Sequence, residues 1–223
     1  MAVLEWDKTG EHLYETGVSK GVLYPFGSAE TPYNKGVAWS GLTSVSENPS
    51  GADATKLYAD DIKYLDIRAA EEFGATIEAY QSPEEFDECD GTSSLLAGVS
   101  IGQQVRKMFG FCYRSQIGND TDGTDHGYKL HLIYGLTASP SERSHSTIND
   151  SPEAATLSWE VSSTPVSVTG HKPTSVLTID STRIDPKALA ALEKVLYGDV
   201  STEARLPLPD EVKEICETAI ASV

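Results

Sequence analysis

Apolar and polar residues alternate with period two over much of the chain. From Val105 to Tyr113, the residues Val105, Lys107, Phe109, Phe111 and Tyr113 share one phase, while Arg106 and Arg114 take the other. Tyr128, Leu130, Leu132 and Tyr134 alternate with Lys129, His131 and Ile133, and Leu157, Trp159 and Val161 alternate with Ser158, Glu160 and Ser162. Alternation of this kind sends successive side chains to opposite faces of an extended strand, and predicts half-buried antiparallel sheet. Further strands are expected at 22–26, 36–44, 73–80 and 174–181. The pattern predicts a mainly β fold, a β-sandwich or strongly curved antiparallel sheets, with two or three short flanking α-helices.

One stretch keeps neither phase. Between Lys56 and Arg68, Leu57 and Ala59 set one register, Ile62 and Tyr64 the other, and Leu65 and Ile67 shift again. A β-bulge near Asp60–Asp61 accounts for the first slip, because one extra residue turns every later side chain over.

Helical spacing is confined to the C-terminal region and one short piece. Asp185 is placed to cap a helix with Pro186 in its first turn, and Leu189, Leu192, Val195 and Leu196 form the apolar stripe before Gly198 stops it. Leu189, Leu192 and Leu196 are the expected packing residues. Pro209–Asp210 begins a second helix with Val212, Ile215, Cys216, Ala219 and Ile220 on one side. Ser82-Pro83-Glu84-Glu85-Phe86 predicts one or two further helical turns. The segments Ser46–Thr55, Gly118–Gly127 and Thr137–Pro152, rich in small and polar residues, read as loops.

Charge narrows the function. Seventeen basic residues against 34 acidic ones leave a net charge of −17, whereas a nucleic-acid reader needs a basic face. No run approaches the roughly 18 apolar residues of a membrane span, and acids among the first residues argue against a signal peptide. Three cysteines, Cys89, Cys112 and Cys216, lie far apart without a CxxC pair, which predicts reduced thiols rather than a disulfide framework or zinc site.

The chain offers little catalytic chemistry. Asp120, Asp122 and Asp125 suggest calcium, but Gly123 at the sixth position of such a loop puts Gly118 where the first acid belongs. The five histidines lack metal-ligand spacing, and no GxSxG, Walker or GxGxxG motif occurs. Cys112 reads as a core residue rather than a nucleophile, and Glu71–Glu72 and Glu84–Glu85 read as solvated faces. A non-enzyme is expected, with no catalytic residue, metal or cofactor.

A series of phrases is more specific. GVLYPF, YNKGVAWSGLTSVSENPSGADATKLYADDIKYLDI, EEFGATIEAYQSPEEFDECDG, IGQQVRKMFGFCYRSQIGNDTDGTDHGYKLHLIYG, STINDSPEAATLSWEVSSTPV, TRIDPKALAALEKVLYG and ARLPLPDEV follow one another over most of residues 20–212. In this order they resemble the major tail proteins, or tail tube proteins, of siphoviruses that infect Gram-positive bacteria. The resemblance implies the phage tail tube fold: one domain over 1–223, without an additional C-terminal immunoglobulin-like domain, whose strands contribute to an inter-subunit barrel.

It also implies self-assembly into stacked hexameric rings of the virion tail, after synthesis in the host cytoplasm. The tape-measure protein and the tail terminator and distal tail proteins would be partners, and DNA would pass through the lumen without specific binding. On this analogy Asp60, Asp61, Asp66 and Glu78 are candidates for an acidic lumen wall. Val37, Trp39, Leu42, Glu47, Asn48 and Pro49 are candidates for inter-ring or inter-subunit contact. Trp39 reads equally well as ordinary core packing. The competing readings are a tail terminator, a capsid decoration protein, and a carbohydrate-binding β-sandwich using Tyr33, Trp39, Tyr58 and Tyr64.

Overall fold

The structure, a computed structural model, describes residues 3–51, 53–145, 147 and 154–221. Its strands are β1 (Tyr14–Pro25), β2 (Val37–Trp39), β3 (Leu42–Glu47), β4 (Ser50–Gly51), β5 (Ala54–Ala59), β6 (Ile62–Arg68), β7 (Glu71–Glu72) and β8 (Gly74–Ala79), followed by a 3-10 turn at Glu84–Phe86. Then come β9 (Ser93–Leu96), β10 (Val99–Ile101), β11 (Phe109–Asn119), β12 (Gly123–Ala138), β13 (Leu157–Ser163), β14 (Val176–Asp180), α1 (Pro186–Tyr197) and α2 (Pro209–Ala221). The fold is mainly β, antiparallel, with two helices.

Neighbouring strands of the main sheet run in the order β2-β1-β11-β12-β13-β8-β3. This path begins and ends on strands separated in the chain only by Ser40 and Gly41. In effect one strand pairs with β1 through Gly21↔Trp39, bends at Gly41 (φ 83°), and continues along β8 from Leu42↔Ala79. The sheet therefore curls until its two ends share a strand. Gly21 permits the closure, since a Cβ there would lie 2.3 Å from Leu42 Cδ1. The single strand expected at 36–44 is thus two strands serving opposite sheet ends.

Inside the curl, Trp39, Phe86, Phe109, Phe111, Ile77 and Trp159 form an aromatic core. Its rings meet mostly edge to face at 4.6–5.6 Å. The outer face of β1, β11 and β12 is also covered. Tyr24, Cys112, Leu130, Leu132 and Tyr134 pack beneath Leu192 and Leu196 of α1 and Val212 of α2, with Leu189 partly buried beside them. This double cover explains why Phe109–Tyr113 is buried on both faces rather than alternately. Tyr24 donates its hydroxyl hydrogen to the Leu196 carbonyl at 2.7 Å, and Tyr134 to the Pro207 carbonyl at 3.0 Å. The helices begin where their signals lie: the Asp185 carboxylate accepts from the Lys187 N–H at 2.8 Å, and Gly198 ends α1 with φ 74°.

β12 serves two partners in succession. Lys129–Ile133 pairs with β14 and Leu136–Ala138 with β13. Gly135 forms the fork, with φ 63°, and a Cβ there would meet the Thr164 carbonyl oxygen at 2.2 Å.

Several expectations need correction. Strand β11 starts only at Phe109, and Val105 stands almost fully exposed outside it. Gly118–Gly127 is mostly strand, the end of β11 and the start of β12 joined by a tight turn at 120–122, and Ser46–Thr55 contains the end of β3, all of β4 and the start of β5. Within Thr137–Pro152, the first two residues belong to β12, and 146 and 148–152 lie outside the described residues. The short piece at Ser82–Phe86 is a single 3-10 turn.

Candidate functional site

β5 and β6 form a two-stranded sheet of their own, and every residue in both strands is exposed. Asp60 and Asp61 are its two-residue turn, with φ of 50° and 59°. A β-bulge does occur, but lower in the hairpin: Leu57 faces Leu65 while Tyr58 faces Lys63, leaving Tyr64 as the extra residue. The phase slips of the sequence are thus one turn and one bulge. Cross-strand partners share a face, so Thr55, Leu57, Ala59, Ile62, Leu65 and Ile67 lie on one side. The other carries Lys63 and Asp66, ion-paired at 2.5 Å. The result is a detached ribbon with one apolar face turned to solvent, a costly arrangement for an isolated chain.

Two further segments expose apolar side chains. The β9–β10 hairpin presents Leu95, Leu96, Val99 and Ile101, and the N-terminal segment presents Val3, Leu4, Trp6 and Leu13. Neither belongs to the main sheet.

One polar cluster stands where two of these extensions meet the body. His131 of β12 stacks flat on Tyr113 of β11, with ring centroids 4.4 Å apart. Its Nε2 lies 2.9 Å from Ser115 Oγ and 3.5 Å from Glu15, and its Nδ1 lies 3.6 Å from Glu47. Ser115 and Lys129 both donate to Glu15, at 2.5 and 2.6 Å, and Tyr113 donates to Glu47 at 2.8 Å. Burial acts to raise Glu15, but the bonds from Lys129 and Ser115 outweigh it and hold the carboxyl below its ordinary value. Glu47 is held low chiefly by His131, against burial, with Tyr113 adding. Glu15 lies at the start of β1, just after the N-terminal segment, and Glu47 ends β3, just before the β5–β6 excursion.

The expected site residues fall in several places. Trp39 is 3% exposed, and its indole N–H donates to the Gln81 carbonyl at 2.8 Å. It packs in the core of its own chain. Leu42 also packs against that core, and Val37 is half-buried on β2. Asn48 is exposed but fixed through its N–H to the Gly74 carbonyl at 2.7 Å, and Pro49 is exposed. The four acidic candidates fall on two elements, β8 and the β5–β6 hairpin. Glu78 lies on the outer face of β8 and accepts from Ser44 at 2.7 Å, Asp66 is paired with Lys63, and Asp60 and Asp61 occupy the hairpin turn.

The remaining chemistry is local. Asp120 accepts the Gly10 N–H at 3.0 Å and Asp122 lies 3.2 Å from His126, so these acids tie down the N-terminal segment and their own turn. Among the described residues no His, Cys, Asp and Glu group is arranged to hold a metal ion. Burial pushes the Cys112 thiol up to about 12, far from nucleophilic character at neutral pH. No helix among the described residues is long and apolar enough to cross a membrane.

No protein-family model matches the chain, and no curated protein matches its sequence. Among solved structures, the chain is similar to one from an extracellular contractile injection system, the PVC sheath–tube complex in its extended state. The alignment covers 72% of this chain and 88% of that one, at 13% identity and a TM-score of 0.31. So loose a superposition carries no weight for function.

The sequence pattern missed the exposed apolar face of Leu57, Ile62, Leu65 and Ile67. Its signal was present as apolar residues on both sides of Asp60–Asp61, hidden by the bulge at Tyr64.

Proposed function

We propose that this chain is a structural subunit that assembles with copies of itself, and that the assembly is the tube of a phage tail. One observation carries the first part: a closed, well-filled body bears a detached hairpin whose apolar face has nothing to pack on among the described residues. Burial in a second copy removes that surface from water. β14, hydrogen-bonded only to β12 among the described residues, adds an unpaired edge suited to an inter-subunit barrel. The resemblance to siphovirus major tail proteins supports the finer reading of stacked hexameric rings that conduct DNA. The tape-measure, terminator and distal tail proteins are then the partners. The single domain over 1–223 is part of the same reading.

A net charge of −17 per copy suits a conduit that must not adsorb DNA. Screening confines repulsion to roughly 8 Å at physiological salt, so only acids close to the duplex matter. Glu78, projecting outward from β8, is the lumenal candidate retained from the four.

Negative-stain electron microscopy of the purified chain, at low and high salt and raised concentration, tests this function. Hollow tubes with a regular axial repeat are expected. Closed single rings under every condition would assign the chain to a terminator instead, and binding to glycans without assembly would favour a carbohydrate module.

A further inference from the structure

The turn does not account for its own acids. Asn-Gly makes the same two-residue turn at lower backbone cost, and without setting two carboxylates side by side. Both aspartates are exposed, and neither has an ion-pair partner among the described residues.

At the opposite end of the hairpin lies a cleft of about 890 Å³. Phe73, Pro165, Pro173 and Val176 contribute apolar lining, and Arg68 and Lys172 contribute cations, with Glu71 beside them. The two cations form no ion pair among the described residues. Within a chain of 34 acids and 17 bases, a cleft with excess positive charge stands out.

We propose that the Asp60–Asp61 turn of one copy seats in the Arg68–Lys172 cleft of the next. This rests on the self-assembly reading and adds to it the surface on which the hairpin docks. The guanidinium and ammonium meet the two carboxylates, while Ala59 and Ile62, which flank the turn and share one face, meet Phe73 and Val176. Glu71 opposes the contact and keeps it from being stronger. Two different patches join, so the interface is heterologous and repeats from copy to copy instead of closing a two-fold pair. A seven-residue strand rising about 3.3 Å per residue separates tip from root by roughly 20 Å, which sets the scale of the step between docked copies.

Two variants test this in trans. Asp60→Lys with Asp61→Lys reverses the turn, and Arg68→Glu with Lys172→Glu reverses the cleft. Thermal melts should show both folded like the parent chain. Each alone should need at least about tenfold more protein to assemble, because like charges then meet. Mixed in equal amounts they should assemble near the parent concentration, since each turn now finds a complementary cleft on the other variant. If both variants assemble like the parent, or if both fail and the mixture fails too, turn and cleft do not meet, and self-assembly by another surface stands. If the parent chain itself stays monomeric at every salt and concentration, the self-assembly reading falls and this one with it.

Discussion

Replacing Ile62 and Ile67 together with serine isolates what the apolar hairpin face contributes, without altering the net charge. The two side chains are 66% and 53% exposed, so about two-thirds and one-half of their hydrophobic burial remains to be gained on assembly. Full burial of an isoleucine stabilises by about 1.5–3 kcal/mol, and the pair therefore contributes about 2–3.5 kcal/mol to each docked hairpin. At about 1.4 kcal/mol per decade, the critical concentration for assembly should rise roughly 30- to 300-fold. Sedimentation of assembled from free protein over a dilution series measures it. The melting temperature of the unassembled chain should hardly move, because neither residue packs in the body and surface substitutions fall within about 0.5 kcal/mol. An unchanged critical concentration would show that this face stays in water in the assembly. A large fall in melting temperature would show that it packs on its own body, and either result refutes the reasoning.

Other outcomes follow from the body of the fold. Leu192→Ala empties a fully buried position between α1 and the sheet and should cost about 2–5 kcal/mol in denaturant unfolding. Gly135→Ala should destabilise by more than about 1 kcal/mol, through its left-handed φ and the 2.2 Å approach to Thr164. Glu15 and Glu47 are held below their ordinary values by their partners, so they contribute stability fully present above the unfolded carboxylate range. That contribution is lost as pH falls through the folded values; a Glu15→Gln, Glu47→Gln double variant should therefore show a flatter stability loss in acid titration than the parent. Raising ionic strength from about 0.01 to 0.15 M shortens the Debye length from roughly 30 to 8 Å and should lower the critical concentration, because copies of charge −17 repel one another.

Much of the body was legible because its signals are local. Asp185, Pro186 and Gly198 bracket α1, and the alternation at Tyr128–Tyr134 marks a strand whatever it packs against. Burial on both faces of Phe109–Tyr113 was not legible, since it depends on helices some 80 residues away folding back over the sheet. Trp39 carried no local sign of whether it faced the core or a neighbour; its place is decided by Phe86, Phe111 and Trp159, all distant in sequence. The hairpin was misread because an Asp-Asp turn lacks glycine and the Tyr64 bulge scrambled the phase of its apolar face. The cluster around His131 draws on β1, β3, β11 and β12, and no spacing within one segment announces it.

The strand that changes partner at Gly41 has a mechanical consequence. The excursion bearing the β5–β6 hairpin connects β3 directly to β8, which lie side by side and antiparallel. A pull on the docked hairpin tip therefore draws β3 and β8 in the same direction, and the ladder between them is not loaded. The load passes outward in shear, into the β8–β13 ladder from Ala79↔Leu157 to Gly74↔Ser162, and through Gly41 into the β2–β1 pairs. Hydrogen bonds loaded in shear resist together rather than opening one by one. An assembly bent or stretched along its axis would thus strain the wall of each subunit as a unit before any hairpin could peel away from it.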